Sequence, residues 1–384
     1  MKIILIFLVC VIVFILDIFP AASVSAAACI AMVITGCCSP TEMMSGFTND
    51  IVLIIFGTEI FGVAFNESGL SAITSNIIIK LAKGNEKKLI LIAGIISAVL
   101  SAFLNNQVVC ALMILICTHI ADAIKDVNVK NITLPVIYCA VMGGQCTLVG
   151  APATMIASSI SEDALGQGIS MFELLPMGLI ILFAGMAYIY LISYKTGISV
   201  WGHEKKVLQS QEKLSFQQTD KKKIIITLIA GAVMIFLFIT ELVSVGIASV
   251  IAGLICIFGG AVKQKDAFKK TDWNILIWLG CSISMASELN QSGSVQNICQ
   301  YIIDHIPVTI PPMLLLTLFT LLSVTISNLI ANTTTVIMIL PFALKFAEIF
   351  SLNPESFLIA VTMGAGLAVM TPLSSGFIGM TVRV

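Results

Sequence analysis

The chain has 384 residues, 58% of them apolar and 11% charged, with a mean hydropathy of +1.05 and a formal net charge of −1. Apolar runs such as Ile3 to Ile18 and Ile224 to Thr240 exclude an ordinary soluble domain and predict a polytopic membrane protein. The absence of a basic patch excludes nucleic acid as a partner, and eleven scattered cysteines without a Cys-x-x-Cys pair or a histidine at ligand spacing argue against a transition-metal site.

Residues 1–50 form an N-terminal helical segment. Its first helix is predicted to be retained, because Lys2 is its only basic residue and Asp17 stands where a leader would need small residues. A second apolar stretch, Ala21 to Gly36, leads to a loop at Ser39-Pro40-Thr41-Glu42. A first repeat occupies 51–194. Ile51 to Phe65 spans the membrane, with Glu59 as a hydrogen-bonded scaffold carboxyl or, in the alternative, a group that protonates during transport, and closes at Asn66-Glu67-Ser68-Gly69, where glycine ends the helix. In the next helix Leu70, Ile73, Ile77 and Leu81 share one face, as expected of an amphipathic interfacial element.

Residues 89–120 are two apolar arms around Leu104-Asn105-Asn106-Gln107. Lysines flank both outer ends, at Lys87/Lys88 and Lys125/Lys130, so the positive-inside bias predicts a re-entrant hairpin. His119 falls near the cytoplasmic boundary of the return arm. A broken helix follows over 132–159, interrupted at Gly143-Gly144 and Gly150-Ala151-Pro152; Met171 to Ser193 returns inside, and 195–223 is a lysine-rich cytoplasmic linker.

The second half opens with a helix pair at 224–262, and a second repeat then occupies 273–384. Trp273 to Leu289 ends at Asn290-Gln291-Ser292-Gly293, Val295, Ile298 and Ile302 mark an amphipathic helix, and a hairpin over 312–350 surrounds Ala331-Asn332-Thr333-Thr334. The last helix, 357–384, is broken near Thr371-Pro372. Asn66 to Asn290, Asn106 to Asn332 and Thr147 to Pro372 are 224, 226 and 225 residues apart, a near-constant offset. Most of the 20 Lys and Arg residues lie in alternate connections, which puts those loops in the cytoplasm and gives the two copies opposite topology. The second copy is predicted to lack its final helix.

These features define the fold class: an all-α polytopic membrane protein of inverted-topology repeats, each with a re-entrant hairpin and a broken transmembrane helix, in the lipid bilayer of the cell (inner) membrane. Paired polar breaks at membrane depth predict a transport site, the two tips dipping in from opposite faces to meet near the bilayer centre. Neither break carries Lys or Arg, so an anion would be held by helix N-termini and amide donors. Oxygens of Asn106, Asn332 and Thr333, with unwound carbonyls near Gly150 and Met370, suit a hard cation such as Na⁺. The blander readings are a solvated turn at Asn105-Asn106-Gln107 and simple close packing at Gly143, Gly144, Gly364 and Gly366. An enzyme is not expected, since Ser374-Ser375-Gly376 is no nucleophile elbow and no His-Glu-x-x-His occurs. A channel would need a continuous polar path.

Several of these motifs together resemble the permeases of the divalent anion:sodium symporter family, in the superfamily that includes citrate transporters. They are Ser39-Pro40-Thr41-Glu42 with Gly46-Phe47-Thr48-Asn49, Ser101-Ala102-Phe103-Leu104-Asn105-Asn106, and Gly143-Gly144-x-x-Thr147-Leu148-x-Gly150-x-Pro152. Ala331-Asn332-Thr333 followed by Leu340-Pro341, and Met370-Thr371-Pro372, continue the match in the second half. The resemblance implies secondary transport of a dicarboxylate or sulfate with Na⁺ by a homodimer. It places Asn106, Gln107, Asn332, Thr333, Thr371 and Pro372 at the substrate, and Asn105, Asn106, Thr147, Gly150, Ala331, Asn332 and Met370 at the coupling ion. The chain departs from the family pattern at Gln107, at Ala151-Pro152-Ala153-Thr154 and at Ser374-Ser375-Gly376-Phe377. Related permeases act as anion exchangers, Na⁺/H⁺ exchangers or arsenite permeases, which are the alternative functions.

Overall fold

A computed structural model describes residues 2–16, 18–124, 128–201, 220–293, 296–297, 300, 311–367 and 369. Regular structure among them is entirely helical. The helices are α1 (Lys2–Leu16), α2 (Ala21–Ile34), α3 (Pro40–Met44), α4 (Asp50–Glu67), α5 (Leu70–Ala82), α6 (Glu86–Phe103), α7 (Asn106–Ala123), α8 (Val129–Gly144) and α9 (Pro152–Leu165). They continue as α10 (Leu175–Tyr188), α11 (Tyr194–Trp201), α12 (Lys221–Thr240), α13 (Val245–Phe258), α14 (Gln264–Lys270), α15 (Trp273–Gln291), α16 (Pro312–Ser327), α17 (Asn332–Ile349) and α18 (Pro354–Gly366). The repeat is visible in the helix limits: α6 and α16 begin 226 residues apart, as do α7 and α17, and the latter pair also end 226 apart. Parts of the amphipathic segment at Val295 to Ile302, and Met370, Thr371 and Pro372, lie outside the described residues.

Two compact units interleave along the chain. One gathers α1–α3, α9 and α15–α18; the other gathers α4 from Leu53, α5–α8 and α10–α14. The chain passes from one to the other between Ala151 and Pro152, at the end of the break that follows α8.

In the first unit, the loop expected at Ser39–Glu42 opens a short helix. Ser39 Oγ accepts from Glu42 N (3.2 Å), and Ser39 N donates to Glu42 Oε2 (2.7 Å), a reciprocal capping box. Gly46 lies flush against α15: a Cβ there would strike Gly280 O, and Gly46 N donates to Ser284 Oγ at 3.0 Å. That motif therefore packs two elements together.

In the second unit, α8 lies against α6 through small residues. A Cβ on Gly143 would approach the Ala98 carbonyl carbon to 2.7 Å, and one on Gly94 would reach Cys139 Sγ at 2.8 Å. Close approach of this kind is how helices associate where lipid removes the hydrophobic drive. Helix α5 buries Leu70, Ser71, Ser75, Ile78 and Ala82 and exposes Ile77 and Leu81. Its buried face mixes small and polar residues with Leu70 and Ile78, and the apolar Ile77 and Leu81 are left outside, as suits an element placed beside lipid. Ser75 Oγ and His119 Nδ1, 2.9 Å apart, tie α5 to α7. The turns at Gly69 (φ +86°) and Gly293 (φ +66°) use the left-handed backbone that glycine permits.

Among the described residues, four helices are long and apolar enough to cross a bilayer: α7, Leu175–Ser193, α12 and α17. More than half of α7 and α17 is buried within the protein, against about a tenth of Leu175–Ser193. The two helices that start at the polar breaks are thus the protein-wrapped ones.

Candidate functional site

Helix α6 ends at Leu104, whose extended backbone (φ −124°, ψ 151°) turns the chain before α7 begins at Asn106. Asn105 is the N-cap of α7; its Oδ1 accepts from Gln107 N at 3.1 Å. The Asn105 side chain is fully buried, and its Nδ2 makes no hydrogen bond.

Asn106 joins this tip to the break after α8. Its backbone N–H donates to Gly150 O at 3.0 Å. Its amide, oriented by the acceptors around it, donates through Nδ2 to Ser101 Oγ, to Gly150 O (2.9 Å) and to Ala140 O (3.3 Å). Thr147 Oγ1 donates to Ala102 O across the same seam. Gly144 and Gly150 are required by this closeness: a Cβ on Gly144 would collide with the Asn106 amide, and one on Gly150 with Gly144 O and Ser101 O. Asn105, Asn106, Thr147 and Gly150 are thereby brought together in one unit, with Gln107 half-exposed at the start of α7.

Sequence reasoning missed Gln145, the C-cap of α8. Its side chain is 1% exposed, yet neither Oε1 nor Nε2 has a hydrogen-bond partner. Buried polar atoms are nearly always paired, so a glutamine with both ends unmet makes this position a candidate for contact with a bound ligand. The available signal was its place inside the Gly-rich break. Ser101, an acceptor for the Asn106 amide, was quoted only as part of a motif.

In the other unit Ala331, Asn332 and Thr333 open α17. Ala331 occupies the N-cap position but offers no side-chain acceptor, whereas Asn105 caps α7. Asn332 Oδ1 is buried and makes no hydrogen bond; Thr333 is 5% exposed. Thr362 Oγ1 in α18 and Ser282 Oγ in α15 are also buried and unbonded. Helix α17 packs against α9, α16 and α18. The first N–H groups of α17, uncapped and at the positive end of the helix dipole, can donate to an anion.

Among the described residues no cluster of three or more His, Cys, Asp or Glu side chains could hold a metal ion. Both breaks present amide, hydroxyl and backbone groups instead: neutral donors for an anion, and oxygens for a hard monovalent cation.

Residues 11–374 match a family model described as "Citrate transporter". The sodium-dependent dicarboxylate transporter SdcS of Staphylococcus saprophyticus is 22% identical over 93% of this chain and 75% of its own length. An "uncharacterized transporter", sll0640 of Synechocystis, is 29% identical over 46% of this chain; that match spans 29% of the relative's length. The crystal structure of the YdaH transporter of Alcanivorax borkumensis superposes with a TM-score of 0.61 at 13% identity, over 89% of this chain and 80% of that one.

Proposed function

We propose, given that this chain belongs to the citrate transporter family, that it is a secondary active transporter moving a small divalent anion, a dicarboxylate or sulfate, with Na⁺ by alternating access. The family is one of transporters, so enzymatic chemistry is set aside. The observation that carries the reading is the set of buried, unbonded amide atoms at the breaks: Asn105 Nδ2, both polar atoms of Gln145 and Asn332 Oδ1. Such atoms carry a desolvation cost of about 1–3 kcal/mol each, which a ligand can offset only when it supplies the missing partner.

In this proposal Asn106, Gln107, Asn332 and Thr333 serve the substrate, with Thr371 and Pro372 beside them in sequence motif. Asn105, Asn106, Thr147, Gly150, Ala331, Asn332 and Met370 serve the ion. Asn106 has a double duty, since its bonds to Gly150 and Ala140 also fix the first tip. The sodium-dependent dicarboxylate transporter name of the staphylococcal relative supports Na⁺ as the coupling ion. The proposal extends to the cell membrane as location, to a homodimer, and to copies at 51–194 and 273–384.

A thermal-shift screen of the purified chain tests the ligand class. Dicarboxylates should raise the unfolding midpoint, and Na⁺ should enlarge the rise; at a hundredfold excess over Kd the stabilisation is about 2.7 kcal/mol. A midpoint moved by no dicarboxylate and not by sulfate, with or without Na⁺, would count against the reading.

A further inference from the structure

The unit containing α4–α8 and α10–α14 carries a lateral cleft of about 840 Å³ between α6 and α10. Leu91, Ile95 and Val99 form one wall and Leu179, Leu182 and Phe183 the other, and the surface they present is almost wholly apolar. A hydrated ion or a small polar anion gains nothing there, because it would shed water without finding partners. The cleft is therefore no part of the proposed substrate path.

Its two ends differ. One reaches Phe103, beside the first tip, and Gly143, Cys146 and Thr147 along the helix break. Towards the other, a smaller pocket that shares Leu91, Met186 and Tyr190 with the cleft ends at Lys87. Lys87 Nζ stands 5.0 Å from the Tyr194 ring centroid and 5.6 Å from that of Tyr190, and Tyr194 OH donates to Glu86 Oε2 at 3.1 Å. Glu86 offsets one positive charge, but Lys87 and Lys88 in the same first turn of α6 leave this end net positive. Lysine and tyrosine together at a helix end are the mark of the membrane interface, and basic pockets between spanning helices on the cytoplasmic side bind anionic headgroups. From Lys87 to Phe103 the α6 backbone rises about 24 Å, which exceeds the roughly 15 Å hydrocarbon depth of one leaflet.

We infer that this cleft is a binding site for one acyl chain of an anionic phospholipid, with its phosphate at Lys87 and its tail against the helix break at Gly143 to Thr147. The chain fills the apolar groove that α6, α8 and α10 leave open, and it pads the break where Ala102, Gly143 and Thr147 line the cleft. The inference rests on the membrane setting and not on the identity of the transported anion.

The test uses the full chain in a neutral detergent, titrated with dioleoyl phosphatidylglycerol or dioleoyl phosphatidylcholine, with retained lipid counted by native mass spectrometry. The wild type should retain the anionic lipid more tightly. Lys87→Gln should weaken that retention roughly fivefold and leave phosphatidylcholine unchanged. Ile95→Trp, at a position 46% exposed on the groove wall, should lower retention of both lipids without burdening the core. Equal retention of both lipids by all three proteins would overturn the inference. So would an Ile95→Trp protein that changes its oligomeric state while holding lipid normally, since a second copy of the chain would then be the occupant.

Discussion

Gly144→Ala tests whether the first tip is held by the Asn106 seam. The new Cβ would lie 2.7 Å from Asn106 Cγ and closer still to Nδ2, the atom that faces Gly150 O, so the amide head must move away. Moving it breaks the donations to Gly150 O (2.9 Å) and Ala140 O (3.3 Å), at about 0.5–1.5 kcal/mol each. Overpacking adds roughly 1–3 kcal/mol. The helix-propensity gain of alanine over glycine, at most about 1 kcal/mol, opposes this and is small at the last residue of α8. A net loss of about 2–6 kcal/mol follows from those terms. It should appear as a fall of several degrees in the thermal midpoint of the purified protein, with a matching fall in uptake. The decisive comparison is a double-mutant cycle. With the Asn106 side chain already removed, the added methyl has room, so Gly144→Ala with Asn106→Ala should be no less stable than Asn106→Ala alone. Additive losses in that cycle would refute the proposed collision.

Other outcomes follow from the same geometry. Gln145→Leu removes two unbonded buried polar atoms at similar volume; the midpoint should hold or rise while kcat/KM falls about tenfold or more, a transition-state loss of roughly 1.4 kcal/mol. Unchanged transport would make Gln145 a bystander. Ala331→Ser supplies the missing cap of α17 and should stabilise the protein by about 1 kcal/mol; a midpoint that does not move would mean that the uncapped N–H groups already have acceptors. Lys270→Met removes the partner of Glu67, which is bonded at 2.7 Å with its side chain 7% exposed. The lysine is half exposed, so solvent screening limits the loss to about 1–2 kcal/mol; Glu67→Gln in the same background should recover part of it in thermal melts.

The sequence made the two breaks legible because a run of amides inside apolar helix has few physical explanations. The break after α8 was legible for the same reason, with glycine on both sides and Pro152 opening α9. Lys87 and Lys88, read as a flank, lie inside α6, because Asn85 caps the helix four residues before the apolar run begins: its Oδ1 accepts from Lys88 N at 3.1 Å. Helix α3 was hidden because a capping box in a five-residue helix looks like any polar turn. Gln145 could not be singled out, since periodicity shows that a glutamine is near a break and not whether its amide finds partners. The role of Gly144 was equally out of reach: its contact is with Asn106, 38 positions away, and sequence carries no distance between them. The pairing of Glu67 with Lys270 is longer-range still, and nothing local to either residue announces it.

Uptake of a labelled dicarboxylate into proteoliposomes, driven by an inward Na⁺ gradient and repeated with Asn332→Ala, probes the transport proposal most directly. The account predicts saturable accumulation that collapses when Na⁺ is equal on both sides and that Asn332→Ala reduces by about tenfold or more, the size expected for a lost substrate contact of roughly 1.4 kcal/mol. Accumulation no greater than in empty liposomes, or full activity without Asn332, would contradict it.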